Sequence, residues 1–196
     1  MRIRAVILVF ISMIPFCISA QEKMAIKTNI LYTGISLTPN LAAEVGIDKH
    51  TSVGLSASYN WFNLNGKSSS NKMMVHWMLQ PEWRYYTKKR FFGHFIGAHA
   101  IASMYNISNK KISLLFGKDS KEYRYQGAAY GLGASYGYIH PIAKQWNVEL
   151  KLGLGYVRMK YDKYRCVRCG EKVEQNIGKN YFGPTQAAIS IVYLID

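Results

Sequence analysis

The strongest constraint on the fold is an alternation of chemical character at every second residue. Val148, Leu150, Leu152, Leu154 and Tyr156 alternate with Asn147, Glu149, Lys151, Gly153 and Gly155. Ala128, Tyr130, Leu132, Ala134 and Tyr136 interleave with Ala129, Gly131, Gly133, Ser135 and Gly137, and Val53, Leu55, Ala57, Tyr59 and Trp61 with Ser52, Gly54, Ser56, Ser58 and Asn60. A strand sends successive side chains to opposite faces, so these are strands with one apolar face and one small or polar face.

Eight such segments are expected, near 24–36, 41–48, 51–62, 75–87, 91–106, 123–140, 146–161 and 185–195. Between them, short turns at 48–50, 88–90 and 141–145 face long connections at 63–74, 107–122 and 162–184, with one short outer connection at Thr38-Pro39-Asn40. Short turns on one side, long loops on the other and an even strand count are the outer-membrane arrangement. The fold class expected is all-β: an eight-stranded antiparallel up-and-down transmembrane β-barrel. Pro81 falls inside the fourth strand, where a closed barrel has no edge for a residue lacking an N–H, so a bulge is expected there. The fifth strand alternates ambiguously, with Phe95 and Ile101 opposite Ile96, Ala98, Ala100 and Ala102.

The start of the chain reads as an export signal. Arg2 and Arg4 precede an apolar run from Ala5 to Phe16, and Ser19 and Ala20 precede Gln21. Residues 1–20 are therefore expected to be a cleaved signal peptide and residues 21–196 a single barrel domain. That run is shorter than the ~20 residues of a spanning helix, and no later run is longer. The net charge of +14 would suggest nucleic acid in a cytosolic protein, but export argues against that partner.

Which face meets lipid separates a membrane barrel from a soluble one. A ligand-binding soluble barrel keeps its apolar face inside. Here the other face is rich in Gly and Ser, while the apolar face carries Trp and Tyr at strand ends, as aromatic girdles require. Trp146 and Tyr156 lie ten residues apart on one strand, which at ~3.3 Å per residue and a tilt of about 40° is roughly 25 Å, the height of the apolar band. Trp61 and Trp77 are assigned to the outer girdle; Trp83, Tyr85, Tyr138 and Tyr193 to the inner one.

Several motifs carry a resemblance. Lys27-Thr28-Asn29-Ile30-Leu31-Tyr32, Thr38-Pro39-Asn40-Leu41, His76-Trp77-Met78-Leu79-Gln80-Pro81-Glu82 and Gly93-His94-Phe95-Ile96-Gly97 are among them. So are Tyr161-Asp162-Lys163-Tyr164 with Cys166-x-x-Cys169-Gly170, and Asn180-Tyr181-Phe182-Gly183-Pro184-Thr185. Across nearly the whole mature chain these resemble an uncharacterised domain-of-unknown-function family from the Bacteroidetes, grouped with small outer-membrane β-barrels. The resemblance implies fold and location and brings no activity. The chain departs from many outer-membrane proteins by ending Leu194-Ile195-Asp196 instead of in an aromatic residue.

Six charged residues occupy the inward face: Lys27, Glu44, Glu82, Arg84, Glu149 and Lys151, three of each sign. Inside a narrow barrel they must pair, since an unpaired buried charge costs several kcal/mol. The expected outcome is an ion-pair network that plugs the lumen; a gate that exchanges partners and passes ions is the alternative. The excess positive charge lies at the rims. Lys110, Lys111, Lys118, Lys121 and Arg124 mark one outer loop, Arg165 and Arg168 another, and Lys88, Lys89, Arg90 and Lys144 the opposite turns. Such groups suit outer-membrane lipid, lipopolysaccharide phosphates or acidic polysaccharide, either as a membrane-compatible surface or as a specific glycan or protein site.

Cys166 and Cys169 are the mature cysteines, and an exported, even-numbered pair favours a local disulfide. The same spacing is half a zinc site, but no His lies in that loop and two more ligands would have to come from elsewhere, so no metal or cofactor is expected. A redox role would need a helix N-terminus at the first Cys. For catalysis, His50-Thr51-Ser52 sits at a turn, and His99 and Ser103 share a face about 13 Å apart, too far for a hydrogen bond. His76 and His94 read as rim or girdle residues. The expected role is a non-enzymatic outer-membrane protein with basic external loops. A membrane-embedded lipid hydrolase and an accessory factor for surface-appendage assembly, the latter suggested by the family's lineage, are the alternatives.

Overall fold

The computed structural model describes residues 24–60, 73–108, 123–165 and 171–195. The strands are β1 (Met24–Asn29), β2 (Asn40–Gly46), β3 (Thr51–Asn60), β4 (Met73–Tyr86), β5 (Gly93–Ser108), β6 (Arg124–Pro141), β7 (Trp146–Tyr164) and β8 (Lys172–Ile195). One helix, α1 (Ile30–Ser36), lies between β1 and β2. Each strand pairs antiparallel with its sequence neighbours, and β8 returns to β1 through Met24↔Ile195 to Asn29↔Ser190, so the strands close an up-and-down ring. No described helix is long and apolar enough to cross a membrane.

Alternation assigns the two faces. Leu132, Leu152, Leu154 and Phe182 point outward and stay exposed, Leu152 at 70% and Phe182 at 79%. Facing inward are Gly and Ser with two apolar clusters at opposite ends. The cluster at the short-turn end is Ala25, Tyr86, Phe91, Phe95, Ile139 and Val192. At the other end are Tyr105, Ile107, Tyr125, Ala129 and Met159, with Tyr123, Val157, Tyr161 and Tyr181 packed against them. Eight strands leave an interior just wide enough for side chains. Gly137 shows how tight that is: a Cβ there would lie 2.3 Å from Phe95 Cζ and 2.7 Å from the Leu150 carbonyl oxygen.

Register settles the fifth strand. Phe95 pairs with Gly137 and Ile101 with Gly131, so Phe95, His99 and Ile101 are inward and buried while Ile96 is outward.

Three expectations are corrected. The first strand does not run to residue 36. It stops at Asn29, whose side chain accepts from Tyr32 N at 3.1 Å and starts α1. Asn40 clamps the same residue, accepting from Asn29 N at 2.7 Å and donating to Asn29 O at 3.0 Å. At the other end Leu37, with φ 53°, donates its N–H to Thr33 O. Two caps outweigh the apolar pattern through Ile30 and Tyr32.

Second, 162–184 is not a long loop. β7 continues to Tyr164 and β8 begins at Lys172, held by Lys172–Asp162 (2.8 Å) and Lys163–Glu174 (3.3 Å). Lys163 Nζ also lies 4.1 Å from the Tyr123 ring centre.

Third, no bulge forms at Pro81. β4 keeps one register against β5 on both sides of it, from Leu79↔Ala102 to Glu82↔His99, and Leu55↔Pro81 stays in register with β3. The register instead shifts between Gly153 and Leu154, opposite Pro184 and Gln186, which leaves Thr185 as the extra residue.

The ring is therefore uneven. β1 to β3 have 6, 7 and 10 residues, whereas β6 to β8 have 18, 19 and 24. At ~3.3 Å per residue and a tilt of about 40°, β8 alone rises about 60 Å.

Candidate functional site

The central feature lies directly above the apolar cluster of the short-turn end. Period two makes this inevitable: Lys27 follows Ala25 by two residues, Arg84 precedes Tyr86 by two, and Glu149 lies two strand positions above buried Asn147. The structure brings all six inward charges together. Arg84 joins three carboxylates. Its Nη1 is 2.7 Å from Glu149 Oε2 and 3.0 Å from Glu44 Oε2, and its Nη2 is 2.7 Å from Glu82 Oε2. Lys27 Nζ pairs with Glu44 and lies 2.6 Å from Glu149 Oε2, while Lys151 Nζ is 2.8 Å from Glu82 Oε2.

Neutral groups take up the remaining acceptors. Ser52 Oγ and Tyr86 OH donate to Glu44 Oε1, each at 2.5 Å, and Ser135 Oγ donates to Glu82 Oε1 at 2.6 Å. The Arg84 guanidinium lies 4.4 Å from the Phe95 ring centre, a cation–π contact that floors the network. Sequence reading takes Ser52 only as a possible partner of His50 and gives Tyr86, Ser135 and Phe95 no part in this network. Their inward parity is readable, but which of them meets a carboxylate depends on the register between strands.

Above the network is a polar cavity of about 130 Å³ lined by Lys27, Glu44, Gln80, Gln186 and Tyr32, among others. That is well below the ~300–1,000 Å³ of small-molecule pockets. Tyr32, on α1, reaches over it with its OH 2.7 Å from His76 Nε2, the two rings edge to face. His76 is thus inward and buried, not a girdle residue.

The two His/Ser pairs weighed from sequence, His50 with Ser52 and His99 with Ser103, are each engaged with other partners. Ser52 Oγ is committed to Glu44, while the exposed His50 places Nδ1 3.1 Å from Tyr86 O. Ser103 Oγ donates to Trp77 O at 2.8 Å, and His99 Nε2 meets Thr185 Oγ1, the bulged residue, at 2.9 Å. His94 is outward, its Nδ1 2.7 Å from Tyr136 OH. Among the described residues no group of three or more His, Cys, Asp or Glu is placed to hold a metal.

Outside the ring, Trp146 packs edge to face on Tyr193 (ring centres 4.9 Å apart), whose OH donates to Gln145 Oε1 at 3.1 Å. Trp83, Tyr85 and Tyr156 are exposed on the same face, and Trp77 is half-buried between Tyr59 and Met104 in register. Arg124 stacks 4.5 Å over the Tyr164 ring and donates to Gln126 Oε1. Arg165 is exposed, and its backbone N–H donates to Glu171 O across the tip of the β7–β8 hairpin. Trp61, Lys110, Lys111, Lys118, Lys121, Cys166, Arg168, Cys169 and the 1–20 leader lie outside the described residues.

Two acidic groups sit near the ends of the ring, Asp48 exposed and Asp162 partly so. Hydrogen bonds from the Thr51 hydroxyl and from the His50 and Thr51 amides hold Asp48 below the usual carboxylate range. Asp162 is lowered by hydrogen bonds from Lys172 and the Asn176 amide, and Lys172 is raised by the same bond to Asp162.

Comparison with curated proteins and with solved structures finds no match in either. A family model described as a protein of unknown function, DUF3575, matches residues 6–195, and the chain belongs to that family.

Proposed function

We propose that the protein is a transmembrane β-barrel of a bacterial outer membrane, exported through the leader at residues 1–20, with a closed interior and a non-enzymatic role. The observation that carries this reading is the inversion of the two faces. The charges are gathered inside the ring, while Leu132, Leu152, Leu154 and Phe182 lie exposed on its outside. In water that arrangement wastes the hydrophobic effect; in lipid it is what a closed barrel requires. Trp146 and Tyr156 bracket the apolar belt of β7.

The interior argues for a plug over a pore. An apolar cluster fills one end and the ion-pair network the level above it, with side chains of β1, β2, β4 and β7 meeting at the centre. Work is then left to the tall, basic wall of β6 to β8 and the loops beyond it. This wall is suited to envelope lipid, glycan or a surface protein, and help in assembling a surface appendage would be one form of the last. Nothing in the arrangement of histidines and hydroxyls favours a lipid hydrolase.

Membrane fractionation combined with heat-modifiable gel mobility tests the reading. Recovery with the outer membrane, unboiled protein migrating faster than boiled, is expected. A soluble protein with one mobility would overturn it.

A further inference from the structure

On the outer face of the tall wall, three rows run across β6, β7 and β8. Leu132, Tyr156 and Phe182 form the lowest; Tyr130, Arg158 and Asn180 the next; Ala128, Lys160 and Gly178 the third. An aromatic row is therefore followed within two residues by an arginine and within four by a lysine. Both cations are exposed, and among the described residues neither makes an ion pair. Their neighbours differ: Lys163 and Lys172 are held by Glu174 and Asp162.

Gly178 completes the geometry. It is the direct cross-strand neighbour of Lys160, and the Arg158 guanidinium leans across it, with Nη2 3.9 Å from where a Cβ would stand. Nothing else among the described residues lies within 4 Å of that point. The sheet surface at Gly178, beside the Arg158 guanidinium, is thus left bare. A cleft of about 600 Å³ is lined by Lys160 together with Tyr59, Trp77, Met104, Tyr164 and Asp162, among others.

We infer that Arg158 and Lys160, two residues apart on the outer face of β7 beside Gly178, bind a phosphate group of a membrane glycolipid of the lipopolysaccharide type, whose sugar lies in the adjoining aromatic cleft. A guanidinium offers a planar fork matched to phosphate, and an ammonium beside it adds a second charge-assisted donor. The place fits the chemistry: a lipid phosphate sits just above the acyl chains, where the aromatic row gives way to cations. A protein partner would need an apolar anchor at the centre of its contact, and the spot over Gly178 has none. This inference rests on the membrane reading above.

The test uses the full chain folded in detergent, with native mass spectrometry of bound lipid. The probes are a diphosphorylated lipid A, the same lipid after enzymatic dephosphorylation, and inorganic phosphate. Wild-type protein is expected to retain the phosphorylated lipid, and the Arg158→Gln/Lys160→Gln variant to retain at least tenfold less. Gly178→Asp, which places a carboxylate beside the Arg158 guanidinium with room for it, should lose the lipid equally while keeping heat-modifiable mobility. Equal retention of the dephosphorylated lipid, or no loss in either variant, would overturn the site. Displacement of the lipid by equimolar inorganic phosphate would show a free-ion site and overturn the lipid assignment. Failure of the membrane reading itself shows earlier and separately, as wild-type protein that is soluble without detergent and lacks the mobility shift.

Discussion

Arg84 Nη1 lies 2.7 Å from Glu149 Oε2, although the two residues stand on β4 and β7, three strands apart around the ring. The contact crosses the interior instead of following the sheet, so it forms only when the ring is closed and in register. It ties the fold's specificity to its charges.

Removing one member leaves buried charge without a partner. Glu149→Gln should therefore cost about 3–5 kcal/mol, read as a shift in urea unfolding of the folded protein in lipid vesicles. Arg84→Met should cost at least as much, since Glu44, Glu82 and Glu149 all use that guanidinium. The double variant should cost less than the sum, because the two residues share one interaction. Additive losses would mean that they do not communicate.

A methyl group at Gly137 should be felt strongly. Its Cβ would press on Phe95 Cζ at 2.3 Å, and overpacking of this kind costs about 1–3 kcal/mol. Adding Phe95→Leu should restore only part of the loss, because the Leu150 carbonyl oxygen, 2.7 Å from the same point, cannot withdraw. Complete recovery of the unfolding midpoint would contradict the backbone contact.

The turn of helix above the lumen depends on Asn29. Asn29→Ala removes the bond accepted from Tyr32 N and should destabilise α1 by about 1 kcal/mol, a roughly fivefold faster exchange of the Tyr32 amide. Asn40→Ala should act on the same amide, since Asn40 holds Asn29 at both its N–H and its C=O. An unchanged exchange rate in Asn29→Ala would show that packing on His76 alone holds the helix.

The tip of the β7–β8 hairpin should respond to pH at both extremes. Asp162 is lowered when folded, so its contribution is present above the unfolded value, about 4, and fades as pH falls through the folded one. Lys172 is raised, so its share is complete below about 10.4 and fades as pH rises through its folded value. The Asn176 amide donates to Asp162 Oδ1 at 2.9 Å and reports on the acid limb. Its chemical shift should hold steady at neutral pH and move below pH 4. Asp162→Asn should abolish that movement.

How much of this was readable in advance differs by residue. The inward row Glu149, Lys151, Gly153 and Gly155 was plain because that face holds no apolar residue from Asn147 to Gly155. The six lumen charges followed from the same parity. α1 was hidden because Ile30, Tyr32 and Ser36 fit a strand as well as a turn of helix, and the deciding interactions come from Asn40, eleven residues beyond Asn29. The upper half of β8 was hidden because Lys, Asn and Gly dominate it and its strand character comes from pairing with β7. Pro81 misdirected the bulge: the interrupted ladder toward β5 absorbs it without an extra residue, whereas Thr185 after Pro184 takes the shift and turns its hydroxyl to His99. Gly178 opposite Lys160 was hidden because 162–184 was read as a loop, although Arg158 and Lys160 themselves fell in the expected strand 146–161.

The lumen network has a further consequence for how such a ring is built. Its charges are distributed by hairpin. Lys27 and Glu44 enter with β1 and β2, Glu82 and Arg84 with β3 and β4, and Glu149 and Lys151 with β7 and β8. Each of these three hairpins brings one cation and one anion, while the β5–β6 hairpin adds only the neutral Ser135 and Phe95. In the proposed membrane setting, assembly by successive hairpins would never carry an unbalanced network charge toward the bilayer. The final closure trades partners within a neutral set instead of neutralising a charged one.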